Sequence, residues 1–275
     1  MKKTYITKLA AIIAISALTL SLLGCGDPEM PTPVPATDAP TSSANISFIN
    51  ASPDAPALSF FVNNAASAAD IDYLDASPYE KIPAGQASVR GNASTGTIGG
   101  TLDKAAIIYR ASATTQNNFT FNNNGFYTFI VTDTIARPKP ATLNGTNPGG
   151  PQFLALSDNL AAPDEGMAEV RIINAAAGVS TVYATVSGED YSTFNGPADK
   201  RTGVAYRAAT GLTAVDAGEI NLELRTGEKD GPIIISRDIT LEEGKIYTIL
   251  LSGKYVKDTA DPVKVPYEIT VYQHN

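Results

Sequence analysis

The sequence predicts an all-β protein in which two similar β-sandwiches follow an export signal and a proline-rich tether. Three observations lead to this prediction. From Ala44 onward, short runs rich in β-branched and aromatic residues alternate with Gly, Asn, Asp and Pro, which is the pattern of strands and turns. No long apolar series in that part has helical spacing. Strand-like blocks also recur in the same order in the second half of the chain, which indicates an internal repeat.

The first 24 residues have the three parts of a secretory signal peptide. Three lysines among the first eight residues precede an apolar run from Leu9 to Leu23, and Gly24 stands before Cys25. The run of about fifteen residues is shorter than the roughly twenty that a membrane-spanning helix needs. We therefore predict a signal peptide over residues 1–24, with an uncleaved membrane anchor as the weaker alternative.

Leu22-Leu23-Gly24-Cys25 resembles the lipobox of bacterial lipoproteins. The resemblance implies cleavage between Gly24 and Cys25, a thioether-linked diacylglycerol on Cys25 and an acyl chain, such as palmitate, on its amino group. Two or more acyl chains suffice for stable membrane anchoring. The alternative is an unpaired thiol in an oxidising compartment. Because Cys25 is the only cysteine, one chain can form neither a disulfide nor a thiolate metal site.

Residues 25–44 are predicted to be a disordered tether. The segment contains five prolines and acids without bases, and it has few large apolar side chains that could offset the entropy of ordering. In a polyproline-like conformation it could hold the folded part up to roughly 60 Å from the lipid surface. By the sorting of enteric lipoproteins, Gly26 favours the outer membrane, while Asp27 leaves the choice of membrane open.

The charge of the chain restricts its partners. Loss of the signal peptide removes three lysines and no acid, so the formal net charge changes from −8 to −11. An acidic protein without a basic, aromatic-rich patch is not expected to bind nucleic acid. Anionic lipid is an equally poor surface partner. The predicted contact with the membrane is therefore the lipid on Cys25 alone.

An internal repeat sets the predicted sandwich boundaries at residues 45–162 and 163–275. The aligned blocks are Ile46–Ala51 with Val170–Ala175, Lys81–Val89 with Ala214–Leu222, and Phe119–Thr128 with Ile239–Thr248. The offset is constant within each block, at 124, 133 and 120 residues respectively, and changes only between blocks. This is expected when insertions fall in loops. Ile246–Leu251 is almost wholly apolar, which predicts a central strand.

Several repeated residues are assigned structural roles. Leu241–Tyr247 resembles the tyrosine corner of Ig-like sandwiches, and Phe121–Tyr127 repeats the arrangement, so Tyr127 and Tyr247 are interpreted as structural. The predicted fold is therefore two tandem Ig-like antiparallel β-sandwich domains. The other equivalent pairs with predicted structural roles are Asn50 with Asn174, expected to bond to backbone in a turn, and Gly85 with Gly218.

The repeated motifs also resemble a known family. Ile49-Asn-Ala-Ser-Pro-Asp-Ala-Pro56, Ile82-Pro-Ala-Gly85, Leu156-Ser-Asp158 and Ala168-Glu-Val-Arg-Ile-Ile-Asn-Ala175 are similar to the domain of unknown function 4397 family. The resemblance covers residues 44 to about 275 and is weaker in the second copy. It implies tandem β-sandwiches in a bacterial envelope protein, often a lipoprotein. It implies no catalytic residue.

Few residues in the sequence are arranged for catalysis or metal binding. The only histidine, His274, stands next to the last residue, where fraying is expected to prevent it from acting as a general base. Asp70, Asp72 and Asp75 are weak candidates for a calcium site, since they lack the glycine turn and distal glutamate of a dedicated loop. No cofactor is predicted, and no phosphate-binding glycine motif is present.

These observations predict a non-enzymatic, lipid-anchored envelope protein with a binding or structural role. The partner is left open as a protein or a glycan. Tyr191 and Tyr206 are the exposed aromatics proposed as ligand-binding residues. One alternative is a pilin-like or adhesin-type assembly subunit that exchanges strands with its neighbours. A less favoured alternative is a hydrolase that uses carboxylates only.

Overall fold

The computed structural model describes residues 42–98, 106–110, 118–138, 149–187, 203–228, 231–254 and 265–275. The predicted signal peptide, Cys25 and the tether up to residue 41 lie outside these ranges. The regular structure within them consists of β-strands. None of the described residues forms a helix with the length and apolarity that a bilayer crossing requires.

The strands follow one another closely, as the short turn-punctuated runs predict. In chain order they are β1 (Ser43–Asn50), β2 (Leu58–Val62), β3 (Ala65–Ile71), β4 (Glu80–Pro83), β5 (Gly85–Ala93), β6 (Ile107–Ile108), β7 (Asn118–Phe121), β8 (Phe126–Thr132), β9 (Gln152–Asp158), β10 (Met167–Asn174), β11 (Thr181–Val186), β12 (Val204–Ala205), β13 (Ala208–Ala209), β14 (Thr213–Asp216), β15 (Gly218–Thr226), β16 (Ile233–Leu241), β17 (Ile246–Ser252) and β18 (Glu268–Gln273).

The strands form two Ig-like β-sandwiches. In the first, a sheet with the order β4-β1-β8-β9 packs against a sheet with the order β3-β2-β5-β6, and β7 pairs with β5. In the second, β13-β10-β17-β18, joined by β14, packs against β12-β11-β15-β16. The pairings are antiparallel except that β1 runs parallel to β8 and β10 runs parallel to β17. These parallel pairs have equivalent registers, with Ile46 opposite Tyr127 and Val170 opposite Tyr247.

The first strand begins earlier than the sequence boundary suggests. Ser43 and Ala44, predicted to belong to the tether, lie in β1, where they pair with Pro83 and Ile82 of β4. Ala44 is fully buried in the first core. The small apolar side chain at this position packs between the two sheets, so the strand extends to it despite the proline-rich sequence before it.

The central strands β8 and β17 are buried on both faces. In β17, Tyr247, Ile249 and Leu251 point into the core of the second sandwich, while Leu250 joins a third apolar cluster with Ile130 of β8. The other fully or almost fully buried members of this cluster come from β1, β10 and the residues after them, and they are Ile49, Ala51, Ile173 and Ala175. The β1-β8 sheet and the β10-β17 sheet therefore pack face to face, giving four layers of sheet.

Both predicted tyrosine-corner hydrogen bonds are present. The hydroxyl of Tyr127 accepts a hydrogen bond from the backbone N–H of Asn122 at 2.9 Å, and that of Tyr247 accepts one from Glu242 at 3.0 Å. Gly85 and Gly218 start β5 and β15 with φ angles of +114° and +147°. Residues with a Cβ rarely adopt such angles, so both strands depend on glycine at this position.

Asn50 and Asn174 make the same three hydrogen bonds in the two sandwiches. The Asn50 amide donates to the carbonyls of Pro56 and Ile71 and accepts from the N–H of Ser52. Asn174 repeats the pattern with three other backbone groups, namely the carbonyls of Val179 and Val204 and the N–H of Ala176. Both side chains are fully buried, so each joins the end of a core strand to a loop and to the end of another strand.

Asn174→Ala is expected to lower the free energy of unfolding by about 2 kcal/mol, because it leaves buried backbone groups without partners. Asn159→Ala is the matched control, since Asn159 makes the same side-chain bond to the N–H two residues on but is exposed; it should cost at most about 0.5 kcal/mol. Urea unfolding of both variants measures the difference. Equal losses would contradict the structural role of Asn174.

Candidate functional site

A closed ring of polar side chains lies between the two sandwiches. Nη1 of Arg171 contacts Oδ1 of Asp158 at 2.5 Å, and the other carboxylate oxygen accepts from the hydroxyl of Tyr79 at 2.8 Å. That hydroxyl is 3.1 Å from Nδ1 of His274, and Nε2 of His274 is 2.6 Å from Oγ1 of Thr248. Nε of Arg171 donates to the same Thr248 oxygen at 2.7 Å. We call these five residues and Thr128 the polar ring.

The available donors and acceptors fix the direction of the hydrogen bonds around the ring. The carboxylate of Asp158 can only accept, so Tyr79 donates to it and accepts from the Nδ1–H of His274. With His274 neutral, Nε2 is an acceptor, and Thr248, which accepts from Nε of Arg171, donates to it. Every bond then has one donor and one acceptor. The ring is thus a single connected network that requires one histidine tautomer.

Burial of the ring strengthens these bonds and shifts its titrations. The side chains of Arg171 and Asp158 are 4% and 2% exposed, and Thr128 donates to Asp158 at 2.7 Å. Burial, followed by the positive charge of Arg171, lowers the pKa of His274 from 6.5 to about 4, although Asp158 acts in the opposite direction. Burial and then the charge of Asp158 raise the pKa of Tyr79. Both groups are therefore neutral at pH 7.

Two further contacts join the sandwiches beside the apolar cluster. Arg207, before β13, donates to Oγ1 of Thr132 and to the carbonyl of Phe153 in the first sandwich, both at 3.1 Å. Tyr272 of β18 donates to the carbonyl of Leu74 at 2.9 Å. The two sandwiches are therefore joined by polar contacts at several points and by an apolar cluster, as in a fixed interface.

The structure corrects the expectation for His274. The sequence predicts fraying, but the backbone N–H of His274 donates to the carbonyl of Ile246 at 2.9 Å, and both nitrogens of its side chain are bonded. Tyr79, 195 residues away in the sequence, provides one of these partners. Sequence reasoning missed the ring because it considered the position of the histidine along the chain and not the paired strand β18 directly before it.

The predicted ligand-binding tyrosines receive no support as exposed groups. Tyr191 lies outside the described residues. Tyr206 is only partly exposed and its hydroxyl oxygen is buried, so the prediction that it is exposed is wrong. Burial and the nearby carboxylate of Asp133 raise its pKa. Tyr206 therefore lies near Asp133 of the first sandwich, beside the contact that Arg207 makes with Thr132.

Asp70, Asp72 and Asp75 are all exposed, near the end of β3 and in the turn after it. The backbone N–H of Asp75 donates to the carbonyl of Asp72 at 3.0 Å. Among the residues that the structure describes, no group of three or more His, Cys, Asp or Glu side chains is arranged to hold a metal ion. The three carboxylates are therefore solvated side chains around a turn.

Comparison with known proteins gives one family match. The model of a family described as Domain of unknown function (DUF4397) matches residues 44–185. The match covers the first sandwich and continues into β11, whereas the sequence resemblance was expected to extend to about residue 275. No curated protein matches the sequence.

Two solved structures are similar to the chain at low identity. One is the tip fimbrial protein Mfa3 from Porphyromonas gingivalis with a C-terminal truncation, at 10% identity and a TM-score of 0.21, covering 83% of this chain and 99% of that one. The other is a candidate cell adhesion protein from Bacteroides eggerthii DSM 20697, at 12% identity and a TM-score of 0.21, covering 85% and 95%. A TM-score of 0.21 is too low for either to bear on function.

Proposed function

The chain belongs to the DUF4397 family, and we propose that it is a non-enzymatic, lipid-anchored protein of the bacterial cell envelope whose two sandwiches act as one binding or structural body. The polar ring is the observation that carries the proposal of a single body. It uses the only histidine in 275 residues to join the sandwiches. Together with the apolar cluster between the sandwiches, the ring favours a fixed relative position of the two sandwiches.

The same ring disfavours acid–base catalysis by its members. A general base needs a nitrogen that is free to accept a proton from a substrate, but both nitrogens of His274 are bonded to the protein. Asp158 is bonded to Arg171, Tyr79 and Thr128. These groups therefore have the partners of a structural network, and their substitution should change stability.

The proposed anchor rests on the sequence around Cys25. Cys25→Ala is expected to move the protein from the membrane fraction to the soluble fraction of bacterial cells, because no acyl chain can be attached through a thioether. The released protein should remain folded, since the described sandwiches do not include residue 25. Fractionation followed by immunoblotting measures the distribution.

Thr37→Ala, in the same predicted tether, is the control and should stay with the membrane. If the Cys25→Ala protein also stays there, the lipid-anchor proposal is wrong. For the unchanged protein, separation of inner and outer membranes on a density gradient distinguishes the two locations that Gly26 and Asp27 leave open.

The strand-exchange alternative is less well supported. Its best candidate is β18, at the edge of its sheet among the described strands. However, Ile269 of this strand is 1% exposed in the second core, and its carbonyl accepts a hydrogen bond from Arg237. Tyr272 and His274 bind the first sandwich. Release of β18 would break all of these contacts, which favours a fixed strand over an exchanging one.

A further inference from the structure

A polar cleft of about 330 Å³ lies on the outer sheet of the first sandwich. In β5, Val89 and Gly91 are buried toward the core, so Arg90 and Asn92 between and beyond them point outward. After β5 the chain bends at Gly96, and Ile98 is buried again in the core. The chain therefore passes beside Arg90 and Asn92 at Thr97 and Ile98, and these two residues form a wall of the cleft.

Two polar atoms at this cleft have no hydrogen-bond partner within the described part of the chain. They are Nε of Arg90 and Oδ1 of Asn92, and both atoms are buried from solvent. The guanidinium is held 4.8 Å from the centre of the Phe61 ring, and no carboxylate among the described residues pairs with it. Buried polar groups in native proteins are nearly always bonded, so these atoms call for a partner of opposite character, an acceptor for Arg90 and a donor for Asn92.

The second sandwich shows the same place on the sheet with its bonds complete. Arg90 is opposite Phe61 and Asn92 is opposite Ser59 on β2. In the repeat, Glu223 is opposite Thr185 and Arg225 is opposite Tyr183 on β11, so the position of Arg90 carries a carboxylate.

There, Nη2 of Arg225 contacts Oε2 of Glu223 at 2.6 Å, and Nε donates to Thr185 at 3.3 Å. The second sandwich thus supplies its own carboxylate to its own guanidinium. The first sandwich provides a guanidinium without one.

We propose that this cleft binds an acidic sugar residue of the uronic acid class. The ligand carboxylate would accept hydrogen bonds from Arg90, and a neighbouring hydroxyl would donate to Asn92. This gives a ligand class to the proposed binding role and rests on that role, but it does not depend on the anchor at Cys25 or on the polar ring.

A single sugar residue fits the cleft better than the C-terminus of a peptide. The volume is at the lower end of those of small-molecule sites. The side chains beside Arg90 and Asn92 are mainly small, including Ala93, Thr97 and Ala106, so they form no deep apolar pocket for a terminal side chain. The net charge, −8 for the whole sequence and −11 without residues 1–24, opposes polyanions, which favours one acidic residue in an otherwise neutral glycan.

Isothermal titration of the purified full chain with D-glucuronate tests the proposal, with D-glucose as the neutral counterpart. Glucuronate should bind, and glucose should give no heat. Arg90→Gln should weaken glucuronate binding about tenfold or more, because the charged hydrogen bonds are lost, while Arg90→Lys should keep part of the affinity. Arg225→Gln on the second sandwich is the matched control and should bind like the unchanged chain.

Further titrations separate the two contacts. Asn92→Ala should weaken glucuronate binding but leave any binding of acetate unchanged. If acetate binds as tightly as glucuronate, or if an acetylated peptide with a free C-terminal carboxylate binds more tightly, the sugar assignment is wrong. Equal binding by Arg90→Gln and the unchanged chain, with equal thermal midpoints, overturns the site itself. None of these results affects the fractionation of Cys25→Ala.

Discussion

Asp158→Asn is expected to lower the free energy of unfolding by about 3 to 5 kcal/mol. The substitution removes the negative partner of Arg171, whose side chain is 4% exposed. A buried charge that loses its partner is strongly destabilising. The amide also has only one acceptor oxygen, so its NH2 group must face either the guanidinium of Arg171 or the donating hydroxyls of Tyr79 and Thr128. Urea unfolding monitored by circular dichroism measures the loss.

A double variant separates the charge effect from loss of packing. Asp158→Leu with Arg171→Met removes both charges, so it should recover about half of the stability lost in Asp158→Asn, although Thr248 and Tyr79 still lose partners. Asp72→Asn, an exposed acid in the first sandwich, is the control and should change stability by at most about 0.5 kcal/mol. A loss in Asp158→Asn no larger than in this control would contradict a joining role for the ring.

Stability is expected to fall by about 3 kcal/mol between pH 6.5 and pH 4 because of His274 alone. Its pKa is near 6.5 in the unfolded chain and about 4 in the folded chain. Between these values the unfolded chain binds one more proton than the folded chain. The stabilisation by neutral His274 is therefore complete above pH 6.5 and is lost as the pH falls toward 4.

His274→Gln isolates this contribution. Glutamine does not titrate, so the difference in unfolding free energy between the unchanged chain and the variant should decrease as the pH is lowered over this range. Carboxylates elsewhere titrate in both proteins, and their effects cancel in the difference. A difference that is constant from pH 7 to pH 4 would show that His274 has an ordinary pKa and is not held in the ring.

Much of the fold is predictable from local sequence. Alternation in Ile220, Leu222 and Leu224 identifies a half-buried strand, and the repeated tyrosine and asparagine positions have equivalent bonds in both sandwiches. These features depend on residues a few places apart or on the repeat itself. Their physical cause, burial on one side of a strand or a bond within a turn, is visible in the order of residues.

The contact between the sandwiches has a weaker signal in the sequence. The almost continuous apolar runs of β8 and β17 predict central strands, and a strand apolar on both sides must be covered on both sides. That reasoning could have identified the face-to-face packing of the two sheets. It could not have identified the polar ring, because Tyr79, Asp158 and His274 come together only through the positions of three separate strands and loops.

Burial also explains why the charged pair at the centre was not predicted. In the sequence, Asp158 resembles an ordinary solvated residue at a strand end and Arg171 one within a strand, since nothing local marks either as buried. Their burial results from the packing of β9 and β10 in opposite sandwiches. Similarly, strand alternation predicts that Arg90 points outward. That no described carboxylate pairs with it can be seen only from the positions of the side chains around it.

The most direct test of the polar ring is the nitrogen NMR spectrum of His274, which is the only histidine in the sequence and therefore gives one pair of imidazole signals. The ring predicts a single neutral tautomer with the proton on Nδ1, unchanged from pH 7 to pH 5, with that proton protected from exchange by its bond to Tyr79. A mixture of tautomers that titrates near pH 6.5, as a solvated histidine does, would contradict a fixed interface between the two sandwiches.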